Sequence, residues 1–493
     1  MKSIVRMSAA VIVVFSLALA GCTKGASPSP SGNTSAELGT EKAGDSCEQI
    51  GIQVKISNSK YLECRYNRDL KMNFVQILED KSAPLVETGL TDISVCKIQD
   101  QRPSNVGMGG QDGPIGAAFP LKNNQIPQNG VIKVAIAPID FNDSPGSTPP
   151  LELVKEEIET AQKWLEFTTG GRVTYEWTVY PEWIRMPLDS PYYNWQHPYF
   201  GPDGNATTRE GQLPQLQTSE AMGSQVFTEV DKVLPVDQYD YFWVMSPPTA
   251  TAVEWGPQGT QREINITRGL FPISYTPIGT HLWDIHSEQV PLWATFLHEM
   301  MHAHGLAMHA PSNDVPLYIG NSIGTVMASW DSFLAGWRPD EVFACIDSAT
   351  LGSIDISLTS IDLDDSGYKA AFIRLNDHQV VVVESRRKGP FSTGFVEGTA
   401  GVTAYLVDSS VVAQRFDGNP DRVKDYFAYM LDIDAPHPEY LDLGMSFRGL
   451  VHPFAKTAWK TIAFEGDSFT FDGLRISVTD SSTFDTVHIE RVE

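Results

Sequence analysis

Residues 291–305 read PLWATFLHEMMHAHG, and no other stretch constrains the fold as much. Proline opens it, glycine closes it, and Trp293, Phe296, Leu297 and Met300 supply apolar faces, so it reads as a helix set into a core. His298 and His302 stand four residues apart, which on a helix places both imidazoles on one side. Two imidazoles placed in this way can share one tetrahedral Zn2+, and Glu299 beside them can take a proton from water activated there. That division of labour is peptide-bond hydrolysis. Histidine makes up only 11 of 493 residues, which disfavours both a chance His-Glu-x-x-His and a merely structural pair of core histidines.

Around this helix the chain divides by pattern. GVIKVAIAPIDF, from Gly130, is a dense apolar run of strand length, and PPLELVKEEIETAQKWLEFTTGG follows as an amphipathic helix opened by proline and closed by glycine. Strand then helix is an α/β opening. RVTYEWTVYPEWI and YDYFWVMS read as further strands, with a helix at TSEAMGSQVFTEVDKVL between them. Residues 250–290 are poor in helix signals and suit an edge strand and loops beside the cleft. Beyond Cys345 the pattern changes to short alternating runs, among them SIDISLTSI, AAFIRL, QVVVVESRR, GVTAYLVDS and TVHIERVE, which predict an all-β domain. Within it DLDDSG, residues 362–367, places acidic oxygens before a turn glycine. Ile373 stands where an EF-hand loop needs its bidentate glutamate, so this segment reads as a solvated turn.

The N-terminus reads as an address. Lys2 and Arg6 precede an apolar run too short for a comfortable membrane span, and the run ends in LAGC, which resembles the bacterial lipobox. That resemblance implies cleavage before Cys22 and lipidation of its sulfur, anchoring the protein to the extracytoplasmic face of the cell membrane. The Ser/Gly/Pro-rich stretch up to residue 46 cannot bury enough apolar surface to fold and reads as a tether. Four cysteines remain in this exported chain, and they admit three disulfide pairings. Cys47 and Cys64 flank CEQIGIQVKISNSKYLEC, a hairpin pattern that one bridge would close, which leaves Cys96 to pair with Cys345 over a long distance. Cys96 lies in DISVCKI, a strand-like run. With 61 acidic against 36 basic side chains, a formal charge of −25 argues against a nucleic-acid partner.

HEMMHAHGLAMH, residues 298–309, resembles the metzincin pattern His-Glu-x-x-His-x-x-Gly-x-x-His. GTVMASWDSFLAGW is similar to the Met-turn and following helix of immune-inhibitor-A-like metzincins, through Met327, Trp330, Asp331, Gly336 and Trp337. The segment from VVVVESRR to TAYLVDSS also resembles that family's post-catalytic β region. The resemblance implies a zinc endopeptidase acting on protein or peptide substrates, with Glu299 as general base and structural calcium as a further metal. Met308 occupies the template's third-ligand position, and thioether is a poor zinc ligand beside imidazole, so the expected metal set is His298, His302 and His309, with a one-residue bulge after Gly305. Asp314 is the alternative third ligand, and His304 points away from the metal in a supporting role. YLECRYNRDLKMNFVQI resembles short cysteine-containing repeats of exported actinobacterial proteins and suggests cell-wall components as partners.

The expected architecture is therefore a lipoprotein signal over 1–22, a linker over 23–46 and a small β module over 47–100. An α/β metzincin-like zinc metallopeptidase domain follows over 128–345, with a mixed sheet, an active-site helix and a Met-turn. A C-terminal all-β domain fills 346–493. The competing class is a surface binding or adhesion protein that keeps the metzincin scaffold without turnover. The late His309 favours that class and the intact Glu299 favours the enzyme.

Overall fold

In the computed structural model the chain forms two units, 1–38 and 39–493. The structure describes residues 38–49, 51–69, 71–79, 82–85, 88–101, 118–121, 125–193, 199–200, 206–207, 219–253, 260–279, 283, 291–306, 329–391, 400–411, 427–435, 437, 446–447, 450–451 and 461–492. In the second unit a three-stranded antiparallel sheet comes first: β1 (Gln53–Ser57), β2 (Lys60–Tyr66) and β3 (Met72–Leu78). A central sheet follows, in the order β10 (Thr260–Ile266), β11 (Gly269–Ile278), β9 (Tyr241–Met245), β4 (Gly130–Asp140), β5 (Val173–Val179), with short β6 (Ile184–Arg185) paired to the end of β4. It is mixed. The strands from β11 to β5 run parallel, and β10 returns antiparallel along the edge.

Three helices cover this sheet. On β4, Ile132, Val134 and Ile136 face one core, while Ala135, Ala137 and Ile139 face another, as the two-residue period of a strand requires. The first core takes α1 (Pro150–Thr169), through Val154, Ala161, Trp164 and Leu165, together with α3 (Leu292–Ala303). α2 (Ser219–Val230) closes the second core through Met222, Val226, Phe227 and Val230. Both faces being covered explains why β4 and β9 read as continuous apolar runs rather than alternating ones. α1 starts at a proline and stops where Gly170 adopts φ 58°, a left-handed conformation that glycine reaches without a Cβ clash.

The C-terminal part is a sandwich. β12 (Phe343–Asp347), β14 (Ala370–Arg374), β15 (Gln379–Arg386), β16 (Gly401–Asp408) and β17 (Ala428–Met430) form one sheet, with β20 (Ile462–Ala463) paired to β16. Its outer partner is the sheet β13 (Ser353–Leu358), β23 (Asp485–Arg491), β22 (Leu474–Asp480), β21 (Ser468–Phe471). Two short pairs, β7 (Tyr199–Phe200) with β8 (Ala206–Thr207) and β18 (Ser446–Phe447) with β19 (Leu450–Val451), complete the strands of the described residues. On β15, Val381 and Val383 join the core shared with the outer sheet, whereas Val380 and Val382 join the core that contains α1 and α3. The inner sheet therefore shares a core with the motif helix.

Cys47 is bonded to Cys64 and Cys96 to Cys345. The module of β1–β3 rests on the C-terminal sandwich: Arg65 donates to the carbonyls of Ser481 and Ser482 at 2.8 and 2.7 Å, and the Leu78 N–H donates to Thr483 Oγ1 at 2.9 Å. Two local readings are corrected. DISVCKI is not a strand: Ile93–Cys96 is a turn of 3-10 helix, because the Asp92 carboxylate accepts the Ser94 N–H at 2.9 Å and diverts the backbone from extended pairing. DLDDSG is a turn solvated at Asp364 and Ser366 but anchored at its start. Asp362 is buried against Arg386, and the Lys369 ammonium donates to the carbonyls of Ser360, Leu363 and Asp365 at 3.1, 2.8 and 2.6 Å. The loop thus holds a covalently attached cation of its own.

Candidate metal centre

Every residue of α3 except His302 is buried, so the helix is a core element with one open edge. Its start lacks a side-chain cap from its own N-cap residue, Pro291. α1 supplies one instead, since Glu157 Oε2 accepts the Trp293 N–H at 2.7 Å and sets a negative charge at the helix N-terminus. Sequence reading missed Glu157, because a cap from a distant element leaves no local signature.

The helix ends in a Schellman arrangement. The Leu306 N–H donates to Met301 O at 3.1 Å and the Gly305 N–H to His302 O at 2.9 Å, with Gly305 at φ 93°. The turn depends on glycine. Behind it, His304 is fully buried, with Nε2 2.9 Å from the Tyr175 hydroxyl, its ring stacked on Tyr175 and edge-on to Trp337. Burial lowers its pKa to about 4, so this imidazole is neutral at physiological pH and acts as a packed core group.

His298 and His302 meet on the open edge. Their Nε2 atoms lie 3.2 Å apart, and the rings stand nearly perpendicular. Two nitrogens that ligate one tetrahedral zinc at about 2.0–2.1 Å are separated by about 3.3 Å, so the spacing fits a shared ion of that kind. The donor set fits as well, since neutral imidazole is a preferred zinc ligand. Glu299 is buried between this edge and the sheet, where its charge adds to burial in holding the Tyr241 phenol well above its usual range. The Tyr241 hydroxyl is in turn 2.6 Å from Thr276 Oγ1. Tyr175, Tyr241 and Thr276 form a polar floor under an otherwise apolar helix, and their only trace in the sequence is an aromatic or hydroxyl side chain within an apolar strand.

Among the described residues no group of three or more His, Cys, Asp or Glu side chains converges on one point. His309, Met308, Asp314 and Met327 lie outside the described residues, as does Cys22. The residues after the Met-containing segment are described: α4 (Ser329–Leu334) is buried throughout, and Trp330 and Phe333 pack on Phe119 and Phe372. Asp331 is buried here, and among the described residues neither of its carboxylate oxygens has a hydrogen-bond partner. Burial, then the nearby Glu384, holds its pKa well above the usual carboxylate range.

A folded-state pKa raised above the unfolded value gives a contribution to stability that is complete at low pH and lost as pH rises through the folded value. Asp331→Asn, which cannot ionise, is therefore expected to melt a few degrees above wild type at alkaline pH, with the difference shrinking towards pH 4. Melting curves at three pH values check this, and a constant difference would refute it. No protein-family model matches the chain, and no curated protein matches it.

Proposed function

We propose that this chain is an exported, lipid-anchored zinc endopeptidase with a metzincin-like catalytic region. The observation that carries the reading is the 3.2 Å approach of the His298 and His302 Nε2 atoms on the one open edge of a buried helix, with Glu299 beside them. His298 and His302 would hold the ion, and His309 is assigned as the remaining ligand, reached by a bulge after Gly305. Zinc bound there supplies Lewis acidity, which lowers the pKa of water and polarises a peptide carbonyl. Glu299 accepts the proton of the attacking water and delivers it to the leaving amine. The anchor belongs to the same proposal and rests on the lipobox-like LAGC; no helix of the described residues is long and apolar enough to cross a membrane.

The test combines metal content with turnover. Purified wild type is expected to carry about one zinc per chain and to cleave an unstructured substrate such as casein. Glu299→Ala should keep the zinc and lose at least a hundredfold in rate, the low end of what a positioned acid–base group contributes. His309→Ala should then lose both, whereas Met308→Leu and Asp314→Asn change either quantity only modestly; a lethal Asp314→Asn would move the third ligand there. The one-residue lateness of His309 supports the second reading, a scaffold that binds a surface partner without turnover. Equal inertness of wild type and Glu299→Ala across a broad peptide library would select it.

A further inference from the structure

DLDDSG takes no part in the proposed chemistry, yet the loop that contains it is built around cations. The Lys369 ammonium sits among three main-chain carbonyls, donating to Ser360 O at 3.1 Å, Leu363 O at 2.8 Å and Asp365 O at 2.6 Å. Two further cations meet the same loop from other elements. Arg338, past the end of α4, donates through Nη2 to Ile361 O at 3.2 Å, and Arg386, at the end of β15, holds the two Asp362 oxygens at 2.9 and 3.2 Å.

Lysine is almost never buried without partners, because a charge taken out of water is costly unless other groups answer it. Lys369 is buried, and among the described residues its hydrogen-bond partners are carbonyls rather than carboxylates. Burial, then the nearby Arg338 guanidinium, lowers its pKa to about 8 against the opposing charges of Asp365, Asp364 and Asp362, so the amine is still charged at pH 7. Several oxygens converging on one positive centre are also what a hard divalent cation requires. What marks the cage as a cation site is the ammonium already in it, not the acidic run beside it.

The cage does not depend on that ammonium for its shape. Asp362 is fixed by Arg386 at the near side, and the Thr359 N–H donates to Tyr368 O at 2.8 Å across the base of the loop. On the far side the Ala83 N–H donates to Ser366 O at 3.2 Å, and Gly367, at φ 121°, passes so close that a Cβ there would lie 2.8 Å from Ala83 Cβ. The carbonyls are therefore held in place from outside the cage.

We propose that loop 360–369 is a cation site in which the Lys369 ammonium stands in place of a free divalent ion, and that calcium takes the site once this side chain is removed. The inference is independent of the zinc reading above. In the wild-type chain the cation arrives with the sequence, so this junction between Arg338, β14 and β15 holds at any free calcium concentration.

The test compares variants dialysed into metal-free buffer at pH 7. Lys369→Ala leaves three carbonyls without their donor and is expected to melt about 5–10 °C below wild type. Calcium at about 10 mM should restore at least about half of that loss, and calorimetry should find one more calcium per chain than in wild type, with a dissociation constant on the order of 0.1–1 mM. Lys369→Met, which fills the opening with an uncharged chain, is the control: it should lose stability as well and gain no calcium response. Lys369→Ser keeps the opening and carries the same comparison if the alanine variant does not fold. An equal calcium response in wild type or Lys369→Met overturns the proposal, as does a folded Lys369→Ala with no added calcium site. Failure of both small variants to fold even in calcium overturns it too.

Discussion

Alanine at His298 or His302 is expected to strip purified protein of its zinc and abolish cleavage, while the fold survives. The two Nε2 atoms form one edge of the proposed coordination shell, so each substitution removes a primary ligand rather than a supporting group. The loss in affinity should therefore exceed the roughly 10–100-fold typical of an outer partner. The fold should survive because α3 is held by other contacts: Trp293, Phe296, Leu297, Met300 and Met301 fill the core, Glu157 caps the start and Gly305 turns the end. Metal analysis of dialysed protein and a far-ultraviolet circular dichroism spectrum separate the two effects. Stoichiometric zinc in the His298→Ala, His302→Ala double variant would remove the assignment. An unfolded single variant would show that the imidazoles serve the core first.

The motif helix could be read from sequence because its evidence is local. Histidines at a four-residue spacing, an opening proline and a closing glycine each report on backbone geometry within a turn or two, and α3 spans Leu292–Ala303 between that proline and that glycine. The same locality served α1, bounded by Pro149 and Gly170. What stayed hidden was non-local. Glu157 caps a helix 136 residues further on, and Glu384 caps one that precedes it by 55, so neither leaves a signature beside the group it serves. Glu384 and Arg386 did leave an indirect trace, as charged residues continuing a run whose pattern already required full burial. Cys96 failed in the opposite sense: its neighbours alternate like a strand, but Asp92 ties the backbone into a turn of helix. Met327, which carries part of the family resemblance, and His309, the proposed third ligand, lie outside the described residues.

Removing the Cys96–Cys345 bridge is expected to cost the most stability of any single covalent change in the chain. The two cysteines are 249 residues apart, against 17 for Cys47 and Cys64. In the chain-entropy account a cross-link acts by restricting the unfolded ensemble, which gives about 5 kcal/mol for the long loop and about 3 kcal/mol for the short one. Packing adds to the difference. Both Cys96 and Cys345 are buried, the Thr91 N–H donates to Cys345 O at 2.9 Å, and Phe372, which pairs with Cys345 across β12 and β14, stacks on Phe333 of α4. The bridge thus joins the segment leading into the central sheet to the sheet that caps α4, whereas Cys47–Cys64 staples only a hairpin resting on the far sandwich. Denaturant titration of the Cys96→Ser, Cys345→Ser pair should show the larger loss, and the short-bridge pair should unfold its module early with the central cores intact. If the short bridge proves the costlier, the central sheet and the sandwich do not share one cooperative core.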